Sequence, residues 1–190
     1  MSSGSESLTA SERRALVEVA ARSIEHGLRT HEPLAVDPAD YPAPLRAPRA
    51  TFVTLERGGE LLGCIGSLAA RTSMVEDVAK NAYGAVFYDP RCPRLTPEDV
   101  PHIEIHISIL SPPSPMTFRD EEDLVRQLRP GVDGLLLEDG FSRGTFLPSV
   151  WESLPDPHDF FTHLKLKAGL PPTYWSDTLK VLRYTTEVVE

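Results

Sequence analysis

Cysteine is scarce in this sequence: there are only two, Cys64 and Cys92, and they do not form a C-x-x-C pair. That scarcity excludes a disulfide framework, a thioredoxin-like redox motif and a cysteine set able to hold an iron–sulfur cluster. In a reducing compartment both are expected to be thiols. Positive charge is also in short supply. Nineteen Lys and Arg stand against 28 Asp and Glu, a formal net charge of -9, and the cations are not clustered. A phosphate-backbone partner needs a basic face, so nucleic acid is excluded as a partner. Missing too is any uninterrupted apolar run near the length of a membrane span. Residues 1–6 lack both the positive and the apolar regions of a secretory signal, which makes a cytoplasmic protein without membrane association the expectation. No composition break divides the 190 residues, so a single domain is expected over residues 8–190 behind a disordered lead of residues 1–7.

What is present alternates between helix and strand patterns. Thr9-x-x-Glu12 reads as a capping box, and Leu16, Ala20, Ile24 and Leu28 recur on one face, giving a first helix over about residues 11–29. Residues 31–49 hold Pro33, Pro38, Pro42, Pro44 and Pro48, too many for helix or central strand, and read as an extended connector. Two β-rich runs, residues 50–56 and 60–69, flank Arg57-Gly58-Gly59 and predict a hairpin. Ser73-x-x-Glu76 caps a helix ending near Tyr88, with Asn81 and Tyr83 as its polar members, expected on the helix surface. A strand over residues 102–109 and a loop through Pro112, Pro113 and Pro115 come next. A helix from Asp120, a second hairpin over residues 132–147, a helix from Asp156 and one long final strand over residues 178–189 complete the chain. The second half thus echoes the first as hairpin, helix, strand. These units predict an α+β fold, a mainly antiparallel sheet with flanking helices.

The most informative stretch is Gly63-Cys64-Ile65-Gly66-Ser67, on the second strand of the first hairpin. Two glycines three residues apart in a strand mean that something approaches the main chain closely. Two readings are open: a ligand makes that approach, or the glycines form a bulge around a core cysteine. If strand alternation holds, Cys64 shares a face with Leu62 and Gly66, and a bulge breaks that assignment. Downstream, Asp89-Pro90-Arg91 puts a carboxylate and a guanidinium in one rigid turn, either a local ion pair or an anion clamp.

One further polar pattern invites a metal reading. His102, Glu104, His106 and Ser108 alternate with isoleucines on the clearest strand in the chain. His102 and His106 are about 13 Å apart along such a strand, too far to share an ion, whereas Glu104 with one histidine needs help from another strand. A solvated or helix-covered face is the commoner fate, so no metal ligand and no cofactor are assigned. His158, at a helix start, and His163 are read as idle surface imidazoles by default.

Six segments taken together resemble the signature of the AMMECR domain family, whose bacterial members are called AmmeMemoRadiSam system protein A. They are Thr51-Phe52-Val53-Thr54-Leu55, Gly63-Cys64-Ile65-Gly66-Ser67, Asn81-Ala82, Phe87-Tyr88-Asp89-Pro90-Arg91, Gly144-Thr145-Phe146-Leu147-Pro148 and Lys167-Ala168-Gly169-Leu170-Pro171. The ordered set covers about residues 8–189 and is specific where each segment alone is weak. The resemblance implies an antiparallel α+β domain built by duplication of β/α units. It also implies a role beside a Memo-like protein and a radical-SAM protein, with a small-ligand or partner site at the Gly-Cys-Ile-Gly segment. Candidate binding residues are then Gly63, Ile65, Gly66, Ser67, Asn81, Asp89 and Arg91. The alternative is an enzyme with Cys64 as nucleophile and His106 or His158 as base. Two positions depart from the family pattern: Leu62 stands where arginine is usual before the Gly-Cys pair, and Cys92 where phenylalanine follows Asp-Pro-Arg. Without that arginine, any cation beside Cys64 must come from elsewhere, and Arg91 is the candidate.

Overall fold

The computed structural model describes residues 7–190, so all but the last position of the expected lead lies outside the described residues. The chain forms two compact units. One comprises the residues up to Leu110 together with Glu187–Glu190, and the other comprises Ser111–Thr186.

In the first unit the Thr9 capping box starts α1 (Ala10–Thr30), and Leu16, Ala20 and Ile24 fall on its buried stripe. The helix ends at His31, whose φ of 59° is left-handed. The proline-dense connector, expected to hold no helix, contains a 3-10 turn (Pro38–Asp40) and one turn of α-helix, α2 (Ala43–Arg46). Pro38 and Pro44 sit in first-turn positions, where a missing N–H removes no intrahelical bond, and Leu45 is driven fully into the core.

The predicted hairpin forms from β1 (Thr51–Arg57) and β2 (Glu60–Gly66), turning at Gly58 and Gly59, both with positive φ. The second capping box opens α3 (Met74–Phe87). After a 3-10 turn (Pro97–His102), β3 (Glu104–Leu110) pairs antiparallel with β1 and buries Ile105, Ile107 and Ile109. The sheet runs β2-β1-β3-β8, where β8 is Thr186–Val189. α1 and α3 pack on the face bearing Val53, Leu55 and the β3 isoleucines, and this is the unit's core. Asn81 and Tyr83, expected on the helix surface, are both buried. Tyr83 lies over Gly27 of α1, where a side chain would meet its ring at 2.6 Å, and donates its hydroxyl to the His31 carbonyl at 2.9 Å. Tyr83 is covered by α1, and Asn81 by the strand ends, donating its amide to the Thr51 carbonyl at 3.0 Å.

The second unit holds β4 (Ser114–Pro115), α4 (Glu121–Arg126), β5 (Gly134–Asp139), β6 (Ser142–Phe146), α5 (Pro157–Lys167) and β7 (Lys180–Tyr184), with strand order β4-β7-β5-β6. Its core gathers Leu135, Leu137, Phe160, Phe161 and Leu164, with Trp151 stacked on Phe160 at 3.7 Å. Lys165 is fully buried, and Glu121 neutralises it at 2.9 and 3.0 Å. Two of the segments that carry the family signature meet here. Gly144 lets Ala168 approach to about van der Waals limit, where an added Cβ would lie 3.1 Å from it, and Lys167 donates to the Thr145 carbonyl at 2.8 Å.

The long final strand is instead two, β7 and β8, each in a different sheet. The break is Thr185, whose carbonyl and N–H are taken by Ser111 N–H and Oγ, both at 2.8 Å, leaving it outside either ladder. The predicted echo holds at the level of connectivity. In each unit a hairpin is followed by a helix and then by a strand that pairs with the hairpin's first strand, giving β2-β1-β3 and β6-β5-β7. The fold is α+β with two antiparallel sheets. Among the described residues no helix is long and apolar enough to cross a membrane.

Candidate functional site

β2 is the outer strand of the first sheet, and a bulge between Leu55 and Glu56 of β1 leaves Leu62 as the extra residue on its partner. The bulge breaks simple alternation. Leu62 turns into the core, while Cys64, opposite Thr54, stays on the half-buried outer face and accepts the Thr54 hydroxyl at 3.2 Å from its sulfur. The Ser67 N–H bonds to the Thr51 carbonyl, so by the antiparallel alternation the Cys64 N–H points away from β1, toward the open edge.

Asp89 meets it there. Its Oδ2 accepts the Cys64 N–H at 2.9 Å, and its two oxygens take the Arg91 guanidinium at 3.0 and 2.7 Å and the Arg91 N–H at 2.9 Å. The Asp89 side chain is 4% exposed, the Arg91 side chain 57%. One carboxylate therefore latches the turn after α3 onto the edge of β2 and holds an accessible guanidinium beside the thiol. The Arg91 hydrogen bonds, joined by the Cys64 and Arg91 N–H groups, hold the Asp89 carboxyl far below the usual carboxylate range against the opposing effect of burial. The same bonds raise Arg91, and the nearby charge of Cys64 adds to that rise. Burial, then Asp89, pushes the Cys92 thiol up.

A prediction follows from the latch. Because the folded value of Asp89 lies below its unfolded value, its contribution is complete above about pH 4 and drains away as pH falls toward the folded value. Asp89→Ala is expected to cost about 2–3 kcal/mol near neutrality. In denaturant melts of wild type and variant, that difference should stay constant from about pH 8 to pH 6 and shrink below about pH 4.

The glycines have partners of their own. A Cβ on Gly63 would lie 2.4 Å from the Ala85 carbonyl oxygen, and one on Gly66 would lie 2.2 Å from the Phe52 ring. The close approach read from the sequence is therefore made by α3 and by an aromatic side chain. Ile65 packs against the core and touches Gly84, where a Cβ would meet it at 3.0 Å. Ser67 and Asn81 belong to a second cluster centred on Asp77, 4% exposed, which sequence reasoning passed over. Asp77 accepts from Thr51 N–H at 2.8 Å, Thr51 Oγ1 at 2.7 Å, Ser67 Oγ at 2.7 Å and Asn81 Nδ2 at 2.9 Å. Asn81 also donates to the Thr51 carbonyl at 3.0 Å. This network pins α3 to the ends of β1 and β2. Its signal was Asp77 and Asn81 at i,i+4 beside an apolar stripe.

Of the nominated bases, His106 lies across from Thr54 on β3. It is thus two strand spacings from Cys64, about 9.5 Å between Cα atoms, beyond direct hydrogen-bond reach. His158 belongs to the second unit, its Nε2 3.7 Å from Glu122. His102 closes a 3-10 turn rather than lying on β3.

The comparisons with known proteins agree with one another. A family model described as AMMECR1 matches residues 17–189. A protein of Methanothermobacter thermautotrophicus is 35% identical over 187 residues, covering 95% of each chain. Protein TK0174 of Thermococcus kodakarensis is 35% identical over 92% of this chain and 88% of its own. The crystal structure of uncharacterized protein PH0010 from Pyrococcus horikoshii superposes with a TM-score of 0.86 at 32% identity, covering 95% of this chain and 92% of that one.

Proposed function

The chain belongs to the AMMECR1 family, and from that premise we propose that it works through a recognition site at the edge of β2, where Arg91 and Cys64 receive an anionic small ligand or an acidic group of a partner protein. The observation that carries this reading is the shared carboxylate. Asp89 binds the Cys64 N–H and the guanidinium together, so the guanidinium is oriented before anything binds and keeps donors turned to solvent. A pre-oriented planar fork suits a carboxylate or phosphate group. In this reading Gly63, Ile65, Ser67 and Asn81 act by placing β2 against α3, and Gly66 by admitting the Phe52 ring of β1. A role in an AmmeMemoRadiSam-type system, with Memo-like and radical-SAM proteins as partners, is the biological form of the proposal.

The second reading, Cys64 as nucleophile, is favoured by the same guanidinium together with the Thr54 hydroxyl that points at the sulfur. Both features support a thiolate there.

One labelling experiment addresses both. Iodoacetamide is applied across about pH 6–9 to wild type, Cys64→Ser and Arg91→Gln, with intact mass as the readout. Cys64 is expected to react before Cys92, and Arg91→Gln to slow it by about threefold to tenfold. Inorganic phosphate is expected to protect Cys64 in wild type and not in Arg91→Gln. Labelling of Cys64 only on unfolding would defeat the nucleophile, and absence of anion protection would defeat the recognition site. Capture of purified Memo-like and radical-SAM proteins by wild type and not by Arg91→Gln would support the partner form.

A further inference from the structure

The outer face of the first sheet carries a second polar constellation, independent of Cys64. The geometry points to a divalent-cation site formed by Glu56 of β1 with Glu104 and His106 of β3, suited to a first-row metal such as zinc. Glu56 and Glu104 are directly opposite in the β1–β3 register, and His106 is one pair further along the same face, opposite Thr54. One ligand atom from each of the three lies within 4.8 Å of the others, and the His106 Nε2 is 3.6 Å from Glu56 Oε2. Ligands around a tetrahedral zinc with bonds of about 2.0–2.1 Å stand about 3.3 Å apart, so small side-chain rotations close this set on an ion.

Two features set the group apart from ordinary surface acids. The first is the imidazole and how it is held: His106 Nδ1 is 3.0 Å from Glu190 Oε2, which leaves Nε2 for Glu56, 3.6 Å away. A ligating histidine held at its other nitrogen by a carboxylate is the usual outer-shell arrangement of metal sites. The second is charge. Like charges directly opposite on neighbouring strands are destabilising. Glu56, Glu104 and Glu190 place three carboxylates around one imidazole, which even when protonated cancels only one of them. Arg57, the nearest cation in sequence, is turned to Asp99 at 3.2 Å. A divalent ion supplies the missing charge, and two oxygens with one nitrogen leave coordination positions for water or a ligand atom. His106 lies on β3 and His102 does not, which is why the site needs Glu56 from the adjacent strand rather than the second histidine.

The test uses the full chain, stripped with chelator and titrated with zinc alone by calorimetry, with cobalt absorption as a second readout. The Cys64→Ser/Cys92→Ser background removes competing thiolates. One equivalent of zinc is expected to bind in that background with a Kd below about 100 µM. His106→Gln and Glu104→Gln should each weaken binding by more than about tenfold, and Glu190→Gln by about tenfold. Zinc should raise the melting temperature of wild type and not of His106→Gln. These substitutions are near-isosteric on a partly exposed face, and circular dichroism verifies that each variant is folded. Binding that vanishes with the cysteines, or that survives His106→Gln and Glu104→Gln unchanged, overturns the assignment.

Discussion

Replacing Asp77 by alanine is expected to destabilise the first unit by about 3–5 kcal/mol, because one buried carboxylate closes four hydrogen bonds. Thr51 is fully buried at the start of β1, and without Asp77 both its N–H and its hydroxyl lose their acceptor with no water to replace it. The Ser67 hydroxyl is half-buried and can turn to solvent, so its share of the loss is small. Asp77→Asn keeps one acceptor oxygen but presents an NH2 group to donors, and should fall between, at about 2 kcal/mol. Urea melts followed by far-UV circular dichroism should show the midpoint falling for both variants, alanine further, at unchanged m-value. Both tryptophans, Trp151 and Trp175, lie in the second unit. Fluorescence therefore reports that unit alone, and a fluorescence midpoint left behind by the circular dichroism midpoint would show that the two units unfold separately.

The reading of the sequence was strongest where local chemistry alone decides the outcome. Thr9 with Glu12 and Ser73 with Glu76 form capping boxes because all their atoms lie within four residues of one another. The isoleucines of β3 face inward because a strand's period is two. What escaped depends on pairing across distance. The two glycines signalled a close approach, but only the packing of α3 on β2 and the pairing of β2 with β1 decide that Ala85 and Phe52 make it. Glu56 and Glu104 are 48 positions apart by numbering, and nothing local fixes the register that sets them opposite each other. The final β-branched run reads as one strand because propensity does not record which sheet a strand joins, and Thr185 becomes a break only because Ser111 is there to bind it. Around Cys64 the residue types were legible and their roles were not. Asp89 and Arg91 read as either a local ion pair or an anion clamp, and the structure shows the pair with the Cys64 N–H as its third member.

Gly63→Ala tests how far the candidate site depends on that packing. The added Cβ would lie 2.4 Å from the Ala85 carbonyl oxygen, an atom of helix backbone that no rotamer change can move aside. Either β2 lifts from the sheet or the last turn of α3 retreats, at a cost of about 3 kcal/mol. Gly66→Ala makes a nominally closer contact, 2.2 Å to the Phe52 ring, but that ring is on the half-buried outer face and can swing away. It should cost about 1 kcal/mol. The two glycines should therefore rank opposite to their distances, and thermal melts of the two variants decide it. Asp89 follows α3 by two residues, so a retreat of the helix carries its carboxylate away from the Cys64 N–H and frees the guanidinium. Gly63→Ala should then lose the effect of Arg91 on Cys64 labelling under conditions where the protein is still folded. Asp77→Ala, whose network lies at the other end of α3, should keep it. If Gly63→Ala melts early yet labels like wild type, the guanidinium beside the thiol does not depend on the helix, and the latch through Asp89 is not what positions it.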